Sequence, residues 1–190
     1  MNALRVCVLL GGAAIAALGA RMAAGCSSYD PNLPTYVSIP NYNYFVAPQG
    51  GAVVDMMVAR CGTLDCHGAL TRPLRIYGRD SLRLDASDNA GQLGSLTTSD
   101  EQQADFESVL SLEPEEMSRV VQGIDDPSQL LLLRKATGYA PGATPTGGLV
   151  HKGGTVLIVG DDGYSCLYIW LTNKDPNAQQ PYCKNALQLN

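Results

Sequence analysis

Apolar residues recur at helical spacing in several stretches of the chain. Over residues 52–60 (AVVDMMVAR), Val53, Val54, Met57 and Val58 mark one face, the pattern of an amphipathic helix. Residues 100–112 read the same way, with Thr98, Ser99 or Asp100 available as N-cap and Glu101 early in the first turn. Pro114 suits the first turn of a third helix that continues through Glu115, Glu116, Met117, Val120 and Val121. Residues 127–136 (PSQLLLLRKA) repeat that scheme as one helix: a proline start, a leucine face, and Arg134 and Lys135 complementing the helix dipole in the last turn. Residues 162–171 (DGYSCLYIWL) predict a strongly apolar last helix, with Trp170 in the core. Residues 73–84 read as a short extended piece and a turn, and residues 138–148, rich in Gly, Pro and Thr, as a loop. The pattern therefore predicts a mainly α domain, small and helical, with long irregular loops.

Two segments precede that domain. Arg5 is followed by an apolar run of 15 residues, Val6 to Ala20, which matches the hydrophobic region of a signal peptide and is short for a membrane span. Ala23-Ala24-Gly25 then leads into Cys26, an arrangement similar to the bacterial lipobox, where cleavage precedes a cysteine that receives a lipid. Residues 1–25 are read as a lipoprotein signal peptide and Cys26 as the lipidation site. Serine rather than aspartate at position 27 implies outer-membrane sorting by analogy with lipoprotein rules. Residues 26–51 carry four prolines and four tyrosines, which disfavours a helix and predicts an extended tether. The domain itself is expected over 52–190.

The formal net charge of −5 excludes a nucleic-acid binder that relies on a basic surface. The leader holds Arg5 and Arg21 and no acid, so without it the chain carries 11 basic and 18 acidic residues, net −7. Of six cysteines, Cys7 leaves with the leader and Cys26 takes the lipid. Cys61, Cys66, Cys166 and Cys183 remain, an even number that in an exported chain favours cross-links or covalent cofactor attachment. Cys166 and Cys183 are expected to form a disulfide, the polar tail folding back over the last helix, with a stabilisation of roughly 3 kcal/mol.

The chemistry concentrates in Cys61-Gly-Thr-Leu-Asp-Cys66-His67-Gly68. Covalent haem c needs two thiols to add across the haem vinyl groups and a histidine after the second thiol as axial ligand. Here four residues separate the cysteines where two are usual, so an insertion must loop out. A Cys61–Cys66 disulfide is the competing reading, and zinc held by Cys61, Cys66 and both histidines a third. For His67 alone, the bland reading is a structural imidazole hydrogen-bonded to backbone. His151, opening HKGG, is the first choice for a second axial ligand, with Met117 as the alternative. Met56 and Met57 are poorly placed for it. The bland role for His151 is to anchor the turn at Gly153-Gly154.

In their order, these pieces resemble the planctomycete-type cytochrome c domain over residues 53–171. The resemblance rests on a helix running into the Cys-His-Gly motif, PLRIYGRDSLRL, Ser128-Gln-Leu-Leu-Leu-Leu-Arg-Lys, His151-Lys-Gly-Gly and the Tyr164–Leu171 pattern. C-G-x-L-D-C-H-G with RPLRIYG is also similar to a group of myxobacterial lipoproteins. The resemblance implies a cytochrome c-like all-helical fold, with Cys61 and Cys66 as haem attachment sites, His67 and His151 as iron ligands, and electron transfer to a redox partner. The alternative is a haem-free module of the cell envelope braced by Cys61–Cys66 and Cys166–Cys183. No phosphate-binding glycine loop, H-E-x-x-H or G-x-S-x-G occurs. The acidic pairs Glu115/Glu116, Asp125/Asp126 and Asp161/Asp162 suit caps and helix dipoles better than acid–base catalysis, so no enzymatic activity is expected.

Overall fold

A computed structural model describes residues 37–46, 51–79, 81–85, 87, 96–139, 149–172 and 178–188. The segments read as a signal peptide and as a lipobox with Cys26, the first part of the expected tether, and most of the 138–148 loop lie outside the described residues. All described residues belong to one unit, Val37–Asn190. Among them there are seven α-helices, one 3-10 turn and no strand beyond two isolated bridges, Tyr77 with Leu82 and Tyr139 with Val150. The helices are α1 (Tyr42–Val46), α2 (Val53–Cys61), α3 (Ser99–Leu110), α4 (Pro114–Val121), α5 (Leu131–Ala136), α6 (Asp162–Thr172) and α7 (Gln180–Ala186). The chain is mainly α, as its hydrophobic periodicity requires. None of the described helices is long and apolar enough to cross a membrane.

Local chemistry explains where the helices begin. Thr98 caps α3: its hydroxyl accepts from the Glu101 N–H, and the Glu101 carboxylate accepts from the Thr98 N–H at 2.9 Å, a reciprocal capping box. Pro114 opens α4 with Glu115 and Glu116 in its first turn. Asp161 precedes α6 and accepts from the N–H groups of Tyr164 and Ile158. Asp126 and Asp161 thus accept free N–H groups at helix starts, Glu115, Glu116 and Asp162 lie in first turns where they suit the dipole, and Asp125 pairs with Arg119.

The expected single helix over 127–136 is interrupted. Residues Pro127–Gln129 form a 3-10 turn capped by Asp126, Leu130 is extended (φ −63°, ψ 138°), and α5 starts only at Leu131. The break lets Leu130, Leu132, Leu133 and Ala136 all reach the core, more apolar surface than one straight helix face of that length would bury.

The tether reading of 26–51 is also corrected for its described C-terminal half. Residues 42–46 form α1, and Phe45 is completely buried, with its ring 5.1 Å from Trp170 and 5.4 Å from Phe106. The Trp170 indole N–H donates to the Asn41 carbonyl at 3.1 Å, and the Ser38 N–H donates to the Ser118 hydroxyl. An aromatic residue that completes the core outweighs the local disfavour of proline-flanked sequence for helix. Likewise the polar C-terminal tail contains α7, which packs chiefly against α6. Cys166 and Cys183 form the disulfide that joins them.

The core gathers Phe45, Met56, Met57, Ile76, Phe106, Met117, Leu157, Trp170 and Leu171 with Leu132 and Leu133 of α5. Met117, weighed as a metal ligand, is a core residue, as are Met56 and Met57.

Candidate functional site

α2 ends at Cys61, and the chain turns sharply enough that the His67 N–H donates back to the Cys61 carbonyl at 3.0 Å. Cys66 and Gly68 donate to the Thr63 carbonyl. The four intervening residues form a compact backbone-bonded turn that returns the second cysteine towards the first. Gly68 is required by space. A side chain there would collide with the Gly62 carbonyl oxygen and the Ser81 hydroxyl, and that hydroxyl itself bonds the Gly62 carbonyl. Cys-His-Gly is therefore a packing requirement as well as a chemical pattern.

Both thiols are free, so the Cys61–Cys66 bond of the haem-free alternative is not formed. The Cys61 sulfur is shielded from water although the residue is only half-buried, and burial, followed by the neighbouring Cys66, pushes its thiol up to about 12 against a partial opposing effect of Arg60. Cys61 therefore stays protonated at ordinary pH, and a protonated thiol neither attacks nor exchanges readily.

His67 and His151 come together although 84 positions apart in sequence. Their rings lie 6.0 Å apart between centroids and are nearly parallel, at 12°. The two imidazoles are thus a parallel, stacked pair. Nδ1 of His67 donates to the Leu74 carbonyl at 3.0 Å, and Nδ1 of His151 to the Gly154 carbonyl at 2.7 Å. A carbonyl can only accept, so each ring carries a proton on Nδ1, and the neutral form of each has its lone pair on Nε2. Burial, with His151 and Arg72 adding and the Leu74 bond opposing, holds His67 below the usual imidazole range and so neutral at pH 7. The bland roles anticipated for both histidines, a backbone bond and a turn anchor, are thus present and use Nδ1 of each ring.

Two segments hold this pair. Residues 74–77 are fastened to α3: Ser108 accepts from the Arg75 N–H at 2.9 Å and Asp105 from the Tyr77 N–H at 2.7 Å. The Ile76 N–H donates to the His67 carbonyl. On the other side, the His151 N–H donates to Tyr139 and the Gly154 N–H closes a turn onto the His151 carbonyl. Gly154 has φ +76°, a conformation that favours glycine. A side chain at Gly153 would meet the His151 ring at 3.4 Å and the Cys66 sulfur at 4.0 Å, so the HKGG turn lies directly beside the second cysteine.

Asp105 and Ser108 were not singled out from sequence. A signal existed: Glu101, Asp105, Phe106 and Val109 are the buried positions of α3, so two acids occupy its core-facing stripe. Glu101 is matched by Arg83, with nitrogen–oxygen distances of 2.6 and 3.0 Å. Asp105 keeps one carboxylate oxygen without a partner.

Among the described residues no group of three or more His, Cys, Asp or Glu side chains could hold a metal ion, which argues against the four-ligand zinc reading. Two imidazoles are fewer donors than a structural zinc site uses, whereas a porphyrin iron, whose macrocycle supplies four nitrogens, needs only one or two protein ligands. Leu64, Leu70 and Val150 are exposed close in sequence to the two histidines. No family model, curated protein or solved structure matches the chain.

Proposed function

We propose that this chain is an exported, membrane-anchored lipoprotein whose domain carries a c-type haem and passes electrons to another redox protein. The observation that carries the reading is the parallel His67–His151 pair, 6.0 Å apart, with both Nδ1 protons tied to backbone carbonyls. A bound haem would supply reversible one-electron chemistry at its iron. His67 and His151 would hold it axially, and Cys61 and Cys66 would anchor it through thioethers. The Leu74 and Gly154 carbonyls orient the two rings and raise their basicity as ligands. Cys26 would place the domain at the outer membrane. The cytochrome c-like fold identity belongs to this same proposal.

The second reading, a haem-free envelope module, draws on the four-residue spacing between the cysteines and on the Cys166–Cys183 disulfide. A pyridine haemochrome spectrum decides between them, taken on the full chain exported alongside cytochrome c maturation machinery. A c-type spectrum that survives acid-acetone extraction upholds covalent haem. Loss of that spectrum in His67→Ala, with a bis-histidine signature lost in His151→Ala, upholds the ligand assignment. A colourless, folded protein with both thiols titratable overturns it.

A further inference from the structure

The charge of this chain is segregated. Residues 62–79 and 134–153, which contain the two histidines, hold six basic residues and one acid, Asp65, a balance of +5. The rest of the chain holds seven bases and 17 acids, a balance of −10. Two of the six cations are bonded at equivalent places. The Arg72 guanidinium donates to the Cys66 carbonyl at 3.3 Å, and the Lys135 ammonium to the Val150 carbonyl at 2.8 Å. Each is the carbonyl of the peptide that leads into a histidine, so each histidine has a cation fixed beside it. Lys152 follows His151 directly and is exposed, as are Arg75 and Arg134. Leu64, Leu70 and Val150 lie exposed in the same segments.

From this we infer that the face bearing His67 and His151 docks an acidic protein surface. The inference deepens the proposal above by naming the chemistry of the partner, and rests on it for the purpose of the contact. Cations fixed by backbone bonds and mixed with exposed leucine and valine make a preorganised patch of the kind found at protein interfaces, where arginine is enriched and lysine depleted. Lipid-binding basic clusters are instead flexible runs beside a membrane segment. Opposite charge on the partner would raise the rate of encounter at this face.

The test uses the purified full chain in a zwitterionic detergent and a dye-labelled octaglutamate peptide, followed by fluorescence anisotropy. Binding is expected at low ionic strength and to weaken at least about tenfold between roughly 30 and 300 mM salt. Arg72→Gln, Lys135→Gln and Lys152→Gln should each weaken it by roughly two- to fivefold, while Glu115→Gln on α4 should not. Should Arg72→Gln or Lys135→Gln lose the Trp170 fluorescence of the folded chain, Lys152→Gln carries the test, because its side chain is exposed. Salt-independent binding, or binding indifferent to all three replacements, overturns the inference. So does capture by phosphatidylglycerol vesicles, lost in the three variants, with none of the peptide, which would reassign the face to a membrane. The haemochrome spectrum of the same samples keeps the two proposals separate, since peptide binding by colourless protein upholds the acidic partner even where haem attachment fails.

Discussion

Replacing Asp105 by asparagine isolates the most unusual group in the scaffold behind His67. Asp105 is completely buried; one oxygen accepts from Tyr77 and the other has no partner. Burial, aided by the charge of Glu101 and opposed by the Tyr77 bond, raises its carboxyl from 3.8 to about 8. The folded chain therefore keeps a proton that the unfolded chain releases, and stability falls as pH rises between those values. Each pH unit is worth about 1.4 kcal/mol. His67, held low, acts in the opposite sense but only below 6.5, and the raised Cys61 thiol adds its own decline only above 9.0. Between pH 6.5 and 8 the Asp105 effect stands alone among these three, and amounts to roughly 2 kcal/mol. Asparagine preserves the acceptor for Tyr77 and cannot ionise. Urea unfolding followed through Trp170 should show the wild type losing about 2 kcal/mol across that window while Asp105→Asn stays level. The variant, with an unpaired amide in the core, should be the less stable by about 1 kcal/mol at pH 5 and the more stable at pH 8.5. A wild-type profile that is flat or rising from pH 6.5 to 8, or an equal decline in the variant, refutes the reasoning.

Three further outcomes follow from the same geometry. Gly68→Ala should lower the midpoint of thermal unfolding by roughly 10 °C, because its methyl group meets the Gly62 and Ser81 oxygens; circular dichroism on heating measures it. Reducing Cys166–Cys183, whose residues are 17 apart, should cost roughly 3 kcal/mol and shift the urea midpoint downwards accordingly. In the haem-free chain at pH 8, Cys61 should be alkylated by iodoacetamide at least about tenfold more slowly than a free cysteine, as the raised thiol at about 12 requires; mass spectrometry of the digested chain reads the rate, and fast labelling of Cys61 contradicts its burial.

The sequence by itself determined the helices that bury a regular stripe. The periodicity over 52–60, the Thr98–Glu101 capping box and Pro114 are local signals, and α2, α3 and α4 begin within a residue or two of the expected places. It also singled out Cys-His-Gly and HKGG, short motifs of the residue types on which the proposed haem site rests. Tertiary structure decided what depends on distant partners. Residues 42–46 fold as a helix only because Phe45 has Trp170 and Phe106 to pack against. The 127–136 stretch breaks at Leu130 because four apolar side chains must all reach one core. The meeting of His67 with His151 depends on Asp105 and Ser108 fastening residues 75–77 to α3 and on the Gly154 turn. No local pattern encodes a distance across 84 residues. It arises when hydrogen bonds from separate elements, each satisfied once the core has closed, leave the two rings a single arrangement.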